Sequence, residues 1–373
     1  MRVCFFIPSL GDGGSQRQCI ALLNALQHAP AIEVHLILLG PGEHDDSLNV
    51  DGLRVHRTEV GNFANPRALA FVVRTLRRVR PDLLISWLHP ADIWAYAATR
   101  VVRGVPWVIT ERSSSYPDEL VYKLRERFGR RAAAGIIANS VIGKEYWDSL
   151  APRSRVRVIS NILLNQEIQA GIGRTTSVEC LSVGRLAVEK NLGMMTAGFA
   201  RFATAHPQAK LVVVGDGTQA REIVQAAEKS GVTSQVELLG FRKDIPLLMS
   251  RARLFLSFSR YEGMPNALME AVAAGLPAVV SDIPAHRALM GDDYPYYIRL
   301  DAHPEEAASV IAEAWAMEFD PGGQVYAHAR GVLAAMTPEK VVSEYFDAFA
   351  EIITNSGAPY AETHEAPRRP LRR

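Results

Sequence analysis

The chain has 373 residues, 48% of them hydrophobic and 22% charged, with 41 Lys+Arg against 40 Asp+Glu. That apolar content excludes extended disorder, and the length points to two domains, each able to bury its own core. A net charge of +1 excludes a strongly basic nucleic-acid binder, yet residues 1–170 hold 21 Lys+Arg and 16 Asp+Glu (net +5) while residues 171–373 hold 20 and 24 (net −4).

Taken in chain order, Val3–Ile7 reads as a buried first strand. It runs into the Gly11–Gly14 turn with no small-residue cleavage site, so it does not read as a secretory leader. Further strands are predicted at Val34–Leu38, Leu53–Arg57, Leu83–Trp87, Trp107–Thr110, Gly135–Ala138 and Val156–Ile159. Helical periodicity fills Ser15–His28, Pro66–Val79, Ala91–Arg103 and Asp118–Ala133 between them. Such alternation predicts a parallel sheet with helices on both faces. Gly171, Gly173, Thr175 and Thr176 then mark a linker. A second α/β series follows, with strands at Glu179–Val183, Leu211–Val214, Val236–Leu239, Leu254–Ser257 and Ala278–Val280. Its helices fall near Leu192–Ala205, Gln219–Ser230, Ile245–Arg251 and Pro265–Ala274. Pro338–Thr354 forms a last amphipathic helix, and the Pro- and Arg-rich remainder is expected to be disordered.

The expected fold is α/β: two Rossmann-like, doubly wound parallel-sheet domains facing across a cleft. Domains are placed at residues 1–170 and 171–336, with a helix over 337–355 and a tail over 356–373. Cys4, Cys19 and Cys180 are too few for a disulfide framework, and no apolar run reaches the roughly 18–20 residues that span a bilayer. A cytoplasmic protein, at most peripheral on the inner face of a membrane, is expected.

The densest chemistry lies between Ser259 and Pro277. A strand ends, a loop carries Glu262 and Gly263, and Pro265 stands where a first helical turn would begin. The amides of Gly263, Met264 and Asn266 would face a ligand, and a helix N-terminus favours an anion. Glu262 and the deeper Glu270 suit a hydroxyl-rich ligand, because a carboxylate accepts several O–H bonds. Both glutamates could instead be solvated helix charges, but Glu270 sits in an apolar stretch where an unpaired charge is costly. Arg185 and Lys190 flank another strand-to-helix loop and suit a diphosphate, although a basic loop by itself is more often merely solvated. Gly215, Gly217 and the Gly240–Asp244 turn with Phe241 are weaker signals, and neither they nor Gly11–Gly14 match the dinucleotide spacing. No sequence motif for a metal site is present.

Together, Gly13-Gly14, Gly184-Arg185 through Lys190, Gly215–Gly217, Leu239–Phe241 and the Glu-x7-Glu pair Glu262/Glu270 resemble a family 4 retaining glycosyltransferase of GT-B fold. The resemblance covers most of the chain, and it is of the type that assembles polysaccharide or lipid-linked glycans. It implies a nucleotide-sugar donor, in the first instance a UDP-sugar, held by the second domain as a substrate, with no cofactor and no metal. Arg185 and Lys190 would hold the diphosphate, Glu270 the ribose, and Glu262 the sugar. Gly263, Met264, Pro265 and Asn266 would lie near sugar and phosphates, and Gly13 and Gly14 would admit the donor. The first domain would take a saccharide or lipid-linked saccharide. Where many relatives place a histidine after the fifth strand, this chain carries Glu111 and Arg112, which with His89 become acceptor-side candidates; His89 also reads as a structural histidine. The final helix would cross back to the first domain.

Arg67, Arg74, Arg77, Arg78 and Arg80, together with Lys123, Arg125, Arg127, Arg130 and Arg131, lie on amphipathic stretches. Such stretches can rest on anionic lipid or simply form a solvated outer face. Two other functions fit a two-domain α/β chain. A nucleotide-sugar epimerase would turn over donor without acceptor, and a small-ligand binding protein would release no nucleoside diphosphate.

Overall fold

In the computed structural model the described residues are 1–11, 13–29, 31–60, 65–113, 115–150, 156–164, 178–317 and 323–356. The predicted linker over 165–176 and the predicted tail beyond Ser356 lie outside them. The chain divides into two units. One is built from Met1–Arg112, Tyr116–Ser160 and the chain from Pro338 onward, the other mainly from Asn161–Thr337.

The first unit is a seven-stranded parallel sheet. Its strands are β1 (Arg2–Phe6), β2 (Glu33–Leu38), β3 (Leu53–Arg57), β4 (Leu83–Ser86), β5 (Trp107–Glu111), β6 (Gly135–Ala138) and β7 (Val156–Val158), in the order β3-β2-β1-β4-β5-β6-β7. The register pairs Val3 with Val34 on one side and Leu83 on the other. Successive strand residues face opposite layers. Cys4 and Phe6 join the core under α2 (Pro66–Val79) and α3 (His89–Val101), while Phe5 meets Phe349 edge-on at 6.4 Å. Phe349 belongs to the last helix, α13 (Pro338–Asn355), which packs beside α1 (Gly14–Leu26) in this unit.

Local chemistry explains the element ends. Asn65 Oδ1 accepts the Arg67 amide at 3.0 Å and Pro66 opens α2, while Arg80 closes it in the left-handed region at φ +49°. The apolar face of α2 is spent on the core: Ala68, Val72, Val73, Leu76 and Val79 are buried, whereas Arg67, Arg74, Arg77, Arg78 and Arg80 are exposed. α4 (Leu120–Ala132) departs from the expected basic face, because Arg125 points inward and is 1% exposed. Lys123, Arg127, Arg130 and Arg131 stay outside, beside Leu120 and Val121, which are 70% and 40% exposed.

The second unit is a six-stranded parallel sheet of β8 (Glu179–Val183), β9 (Lys210–Val214), β10 (Val236–Leu238), β11 (Leu254–Ser257), β12 (Ala278–Ser281) and β13 (Tyr297–Ile298), in the order β10-β9-β8-β11-β12-β13. Leu211 and Val213 enter one core with α6 (Leu192–Ala205) and α11 (Pro304–Ala316). Val212 and Val214 enter the other, with α8 (Ile245–Arg251), α9 (Asn266–Ala273) and α12 (Ala327–Leu333). Both units are thus doubly wound, as the strand–helix alternation predicts. The helix expected at Gln219–Ser230 is α7 (Ala220–Lys229), while strand β13, α5 (Val141–Leu150), α10 (Pro284–Met290), α11 and α12 are additions to that reading.

Candidate functional site

In an open parallel sheet a ligand sits where the strand order reverses, outside the carboxyl ends of the two central strands. In the second unit those strands are β8 and β11, which pair Leu254 with Cys180. The loops that follow them border a recess, open to solvent, whose lining includes Gly184, Arg185, Lys190, Ser257, Ser259, Glu262, Pro265 and Asn266. Two distant stretches of sequence that looked chemical separately therefore meet at one place.

At its centre Lys190 Nζ donates to Glu262 Oε1 at 2.5 Å, and Ser259 Oγ donates to the same oxygen at 2.7 Å. Burial would raise the Glu262 carboxyl, but the Lys190 charge and the two hydrogen bonds hold it below the ordinary carboxylate value. Both contacts fall on Oε1, which leaves Oε2 to accept from a ligand hydroxyl. Arg185 stands at the rim, 68% exposed, with Nη2 donating to Glu189 Oε1 at 2.6 Å. The opposite wall is the start of α9. Pro265 precedes the helix, Asn266 is its first residue, and Glu270 lies one turn on, 1% exposed. Gly263 and Met264 form the turn before Pro265.

One expectation for this turn needs correcting. The Asn266 amide donates to Met264 O at 3.0 Å, so it is committed within the turn, and the Asn266 side chain accepts from Asn161 Nδ2 at 2.7 Å. Asn161 is buried at the very start of this unit, and its amide donates to Met264 Sδ at 3.3 Å. Packing by itself requires glycine at Gly215 and Gly217. At φ +132° a Cβ on Gly215 would lie 2.0 Å from Gly184 O, and at φ +153° one on Gly217 would lie 2.3 Å from Leu186 O. They let the β9 turn press against the loop that carries Arg185, and the Leu186 amide donates to Asp216 O at 2.8 Å. Phe241 sits in the next turn, its amide donating to Asp216 Oδ2 at 3.0 Å.

In the first unit the corresponding reversal lies between β1 and β4. Gly13 and Gly14 follow β1, and His89 follows β4 after Leu88, which takes φ +78°. Trp87 Nε1 donates to Ser15 O at 2.9 Å and ties the two loops together. His89 is edge-on to Tyr122 at 4.6 Å, and burial with the nearby Arg125 charge pulls its imidazole down to about 4, so it is neutral. Glu111 and Arg112 are committed inside this unit. Glu111 is 0% exposed and accepts from Arg125 Nη1 and Trp147 Nε1, both at 2.7 Å. Arg112 stacks over Trp87 at 4.1 Å and donates to the Tyr345 hydroxyl of α13. Glu111 is thus part of the core of this unit, while Arg112 is half-buried and held between Trp87 and Tyr345.

Sequence reasoning missed Ser259 and the buried residues behind it, since a lone serine or histidine carries no motif. Among the described residues no group of three or more His, Cys, Asp or Glu could hold a metal ion.

Two family models match the chain: Glycosyltransferase Family 4 over residues 12–163 and Glycosyl transferases group 1 over residues 166–318. The N-acetylgalactosamine-N,N'-diacetylbacillosaminyl-diphospho-undecaprenol 4-alpha-N-acetylgalactosaminyltransferase of Campylobacter jejuni is 33% identical over 315 residues, covering 77% of this chain and 83% of that protein. An uncharacterized glycosyltransferase of Methanocaldococcus jannaschii is 23% identical over 261 residues, covering 61% of this chain and 64% of its own length. Among solved structures, Anabaena HepE in complex with UDP-glucose superposes with a TM-score of 0.80 at 18% identity, covering 94% of this chain and 100% of that one. That likeness shows the GT-B fold class.

Proposed function

This chain belongs to glycosyltransferase family 4, and on that premise we propose that it moves a sugar from a nucleotide-sugar donor, with UDP as the first nucleotide to test, to a saccharide or lipid-linked saccharide acceptor. We propose too that the transfer retains the anomeric configuration and needs no metal. The observation that carries the reading is the recess at the β8/β11 reversal, where Lys190, Glu262 and Ser259 form one hydrogen-bonded group beside the exposed Arg185. The UDP-glucose bound to HepE supports the choice of nucleotide, and the diphospho-undecaprenol acceptor named for the Campylobacter relative supports the acceptor class.

As the bond from the anomeric carbon to the diphosphate oxygen breaks, negative charge builds on that oxygen. Lys190 and Arg185 supply two cations for it, and interactions that strengthen as charge develops are the ones that lower the barrier. Glu262 holds Lys190 in place through Oε1 while Oε2 accepts from a sugar hydroxyl. The acceptor oxygen then bonds to the anomeric carbon on the face the diphosphate leaves, and its proton passes to the departing phosphate oxygen. Glu270, buried on α9, would take the ribose.

The first unit would receive the acceptor. Contact with an anionic membrane surface would run through the exposed charge of α2 and through Leu120, Val121 and Lys123 at the start of α4. Among the described residues no helix is long and apolar enough to cross a membrane. Sedimentation with anionic vesicles at ~0.1 M salt tests that contact, and no binding there would remove it.

The central test is a thermal-shift panel of nucleotide sugars, followed by transfer assays with the best donor. One or more should raise the melting temperature and release nucleoside diphosphate only with acceptor. If no sugar nucleotide binds, the reading fails. The anomeric configuration of the product, and activity in the presence of a chelator, decide the retaining and metal-free parts.

A further inference from the structure

Behind the Lys190–Glu262 group stands a histidine that no motif announced. His286 lies on α10, just after β12, and is 0% exposed. Its Nδ1 is 2.8 Å from the Ser281 carbonyl oxygen, which can only accept, so Nδ1 carries the proton. Nε2 is then an acceptor, and Ser257 Oγ lies 3.4 Å from it. On the other side, Ser281 Oγ donates to the carbonyl oxygen of Ser259. Ser259 Oγ in turn donates to Glu262 Oε1, the oxygen that also receives Lys190. One buried imidazole thus ties the ends of β11 and β12 together directly behind the recess. The charged groups facing it are Glu262 and Lys190, and burial lowers its proton affinity, which keeps the ring neutral at pH 7.

We propose that His286 is a positioning residue, which as a neutral Nδ1–H imidazole fixes both Ser257 and the turn that presents Glu262 to Lys190. A second consequence concerns recognition. The Ser257 proton is directed to His286, so Ser257 offers lone pairs to the recess and serves as an acceptor for a donor-sugar hydroxyl. This inference rests on the donor-binding reading above.

Two variants and one spectrum test it. His286→Asn keeps a donor for the Ser281 carbonyl but offers Ser257 no ring nitrogen, and His286→Leu removes both at similar bulk. The expected result is a kcat lowered about tenfold or more in H286L, less in H286N, with donor KM within about threefold of wild type. In a cycle with Ser257→Ala, H286N should add less than twofold to the loss caused by S257A alone, whereas a merely structural histidine would give multiplicative losses. Nitrogen-15 spectra of the wild-type imidazoles at pH 7 should show His286 as the neutral Nδ1–H form and should shift when UDP is added. Wild-type kinetics in H286N and H286L, multiplicative losses in the cycle, or an Nε2–H or doubly protonated ring would overturn the proposal. If no nucleotide sugar is turned over, the functional reading fails first. The tautomer and its response to UDP still decide the histidine's role, including when a variant does not fold.

Discussion

Arg125→Met should destabilise the first unit far more than an ordinary helix-surface change. The Arg125 guanidinium is 1% exposed and donates from Nε to Asp92 Oδ2 at 2.5 Å and from Nη1 to Glu111 Oε2 at 2.7 Å. It also lies over the Trp147 ring at 5.1 Å. Methionine keeps the apolar stem and removes every Arg125 donor from two carboxylates that are each 0% exposed, with Ser86 and Trp147 among their other partners. Breaking a buried pair in this way costs about 3–5 kcal/mol. In a unit of this size that lowers the midpoint by roughly 6–20 °C, at about 2–4 °C per kcal/mol. Trp87, Trp94, Trp107 and Trp147 lie in this unit, and of the 5 tryptophans only Trp315 lies in the other, so tryptophan fluorescence in a denaturant series reports on the correct half. The pH dependence supplies the sign. Burial raises the Asp92 carboxyl to about 6 even with Arg125 beside it, and without Arg125 it rises further. A carboxyl whose folded pKa is raised takes its proton more readily when folded, so folding gains as the pH falls through that value. The variant's deficit should therefore shrink on going from about pH 8 to about pH 5.5. A loss below about 1 kcal/mol at the higher pH, or a deficit that grows on acidification, would refute the reasoning.

Three further outcomes are expected. Lys190→Ala should lower kcat by about 10²–10³-fold with the melting temperature nearly unchanged, measured as sugar transfer from the best donor; near-normal turnover would remove Lys190 from the chemistry. Gly215→Ala places a Cβ where the Gly184 carbonyl oxygen already lies, and should cost the second unit about 2 kcal/mol or more and weaken donor binding, read by calorimetry and by titration with UDP. In the first unit Arg78 Nη2 donates to His56 Nδ1 at 2.8 Å, His56 to His35 Nδ1 at 2.9 Å, and His35 Nε2 to Glu33 at 3.1 Å, a chain that needs both rings neutral. Burial lowers His56 to about 4, so its contribution is complete above about pH 6.5 and is lost as the pH falls towards 4, and His56→Phe should flatten that part of the stability–pH curve.

The alternation of buried strands with helical periods was readable in the chain, because parallel strands buried on both faces are short continuous apolar runs. The Arg185–Lys190 and Glu262–Glu270 stretches were readable as well, since each is a local motif at a strand's end. What could not be read is how distant side chains pair. Asp92, Glu111 and Arg125 come from three elements, and a helical wheel counts Arg125 as a surface charge because it knows only the helix's own period. Gly215 and Gly217 resemble phosphate-loop glycines in one dimension, yet three dimensions place the Gly184 and Leu186 carbonyls against them. His286 is silent for the same reason: its partners are a carbonyl and a hydroxyl, which leave no trace in spacing. Helices α10 and α12, each of 7 residues, are too short for periodicity to declare.

The return of α13 to the first unit has a consequence for how the chain is made. Tyr345, Phe349, Ile352 and Ile353 are buried in a unit whose other strands and helices come from the first 160 residues. A ribosome will therefore have finished the whole second unit before the first can close its core. During that interval the surface awaiting α13, including Phe5 and the Arg112 that meets Tyr345, has nothing from the chain's end to cover it. Sequence separations above 200 residues make this closure a late and slow event. Loss of the last helix by a premature stop would thus damage the unit that was synthesised first, while sparing the one next to the break.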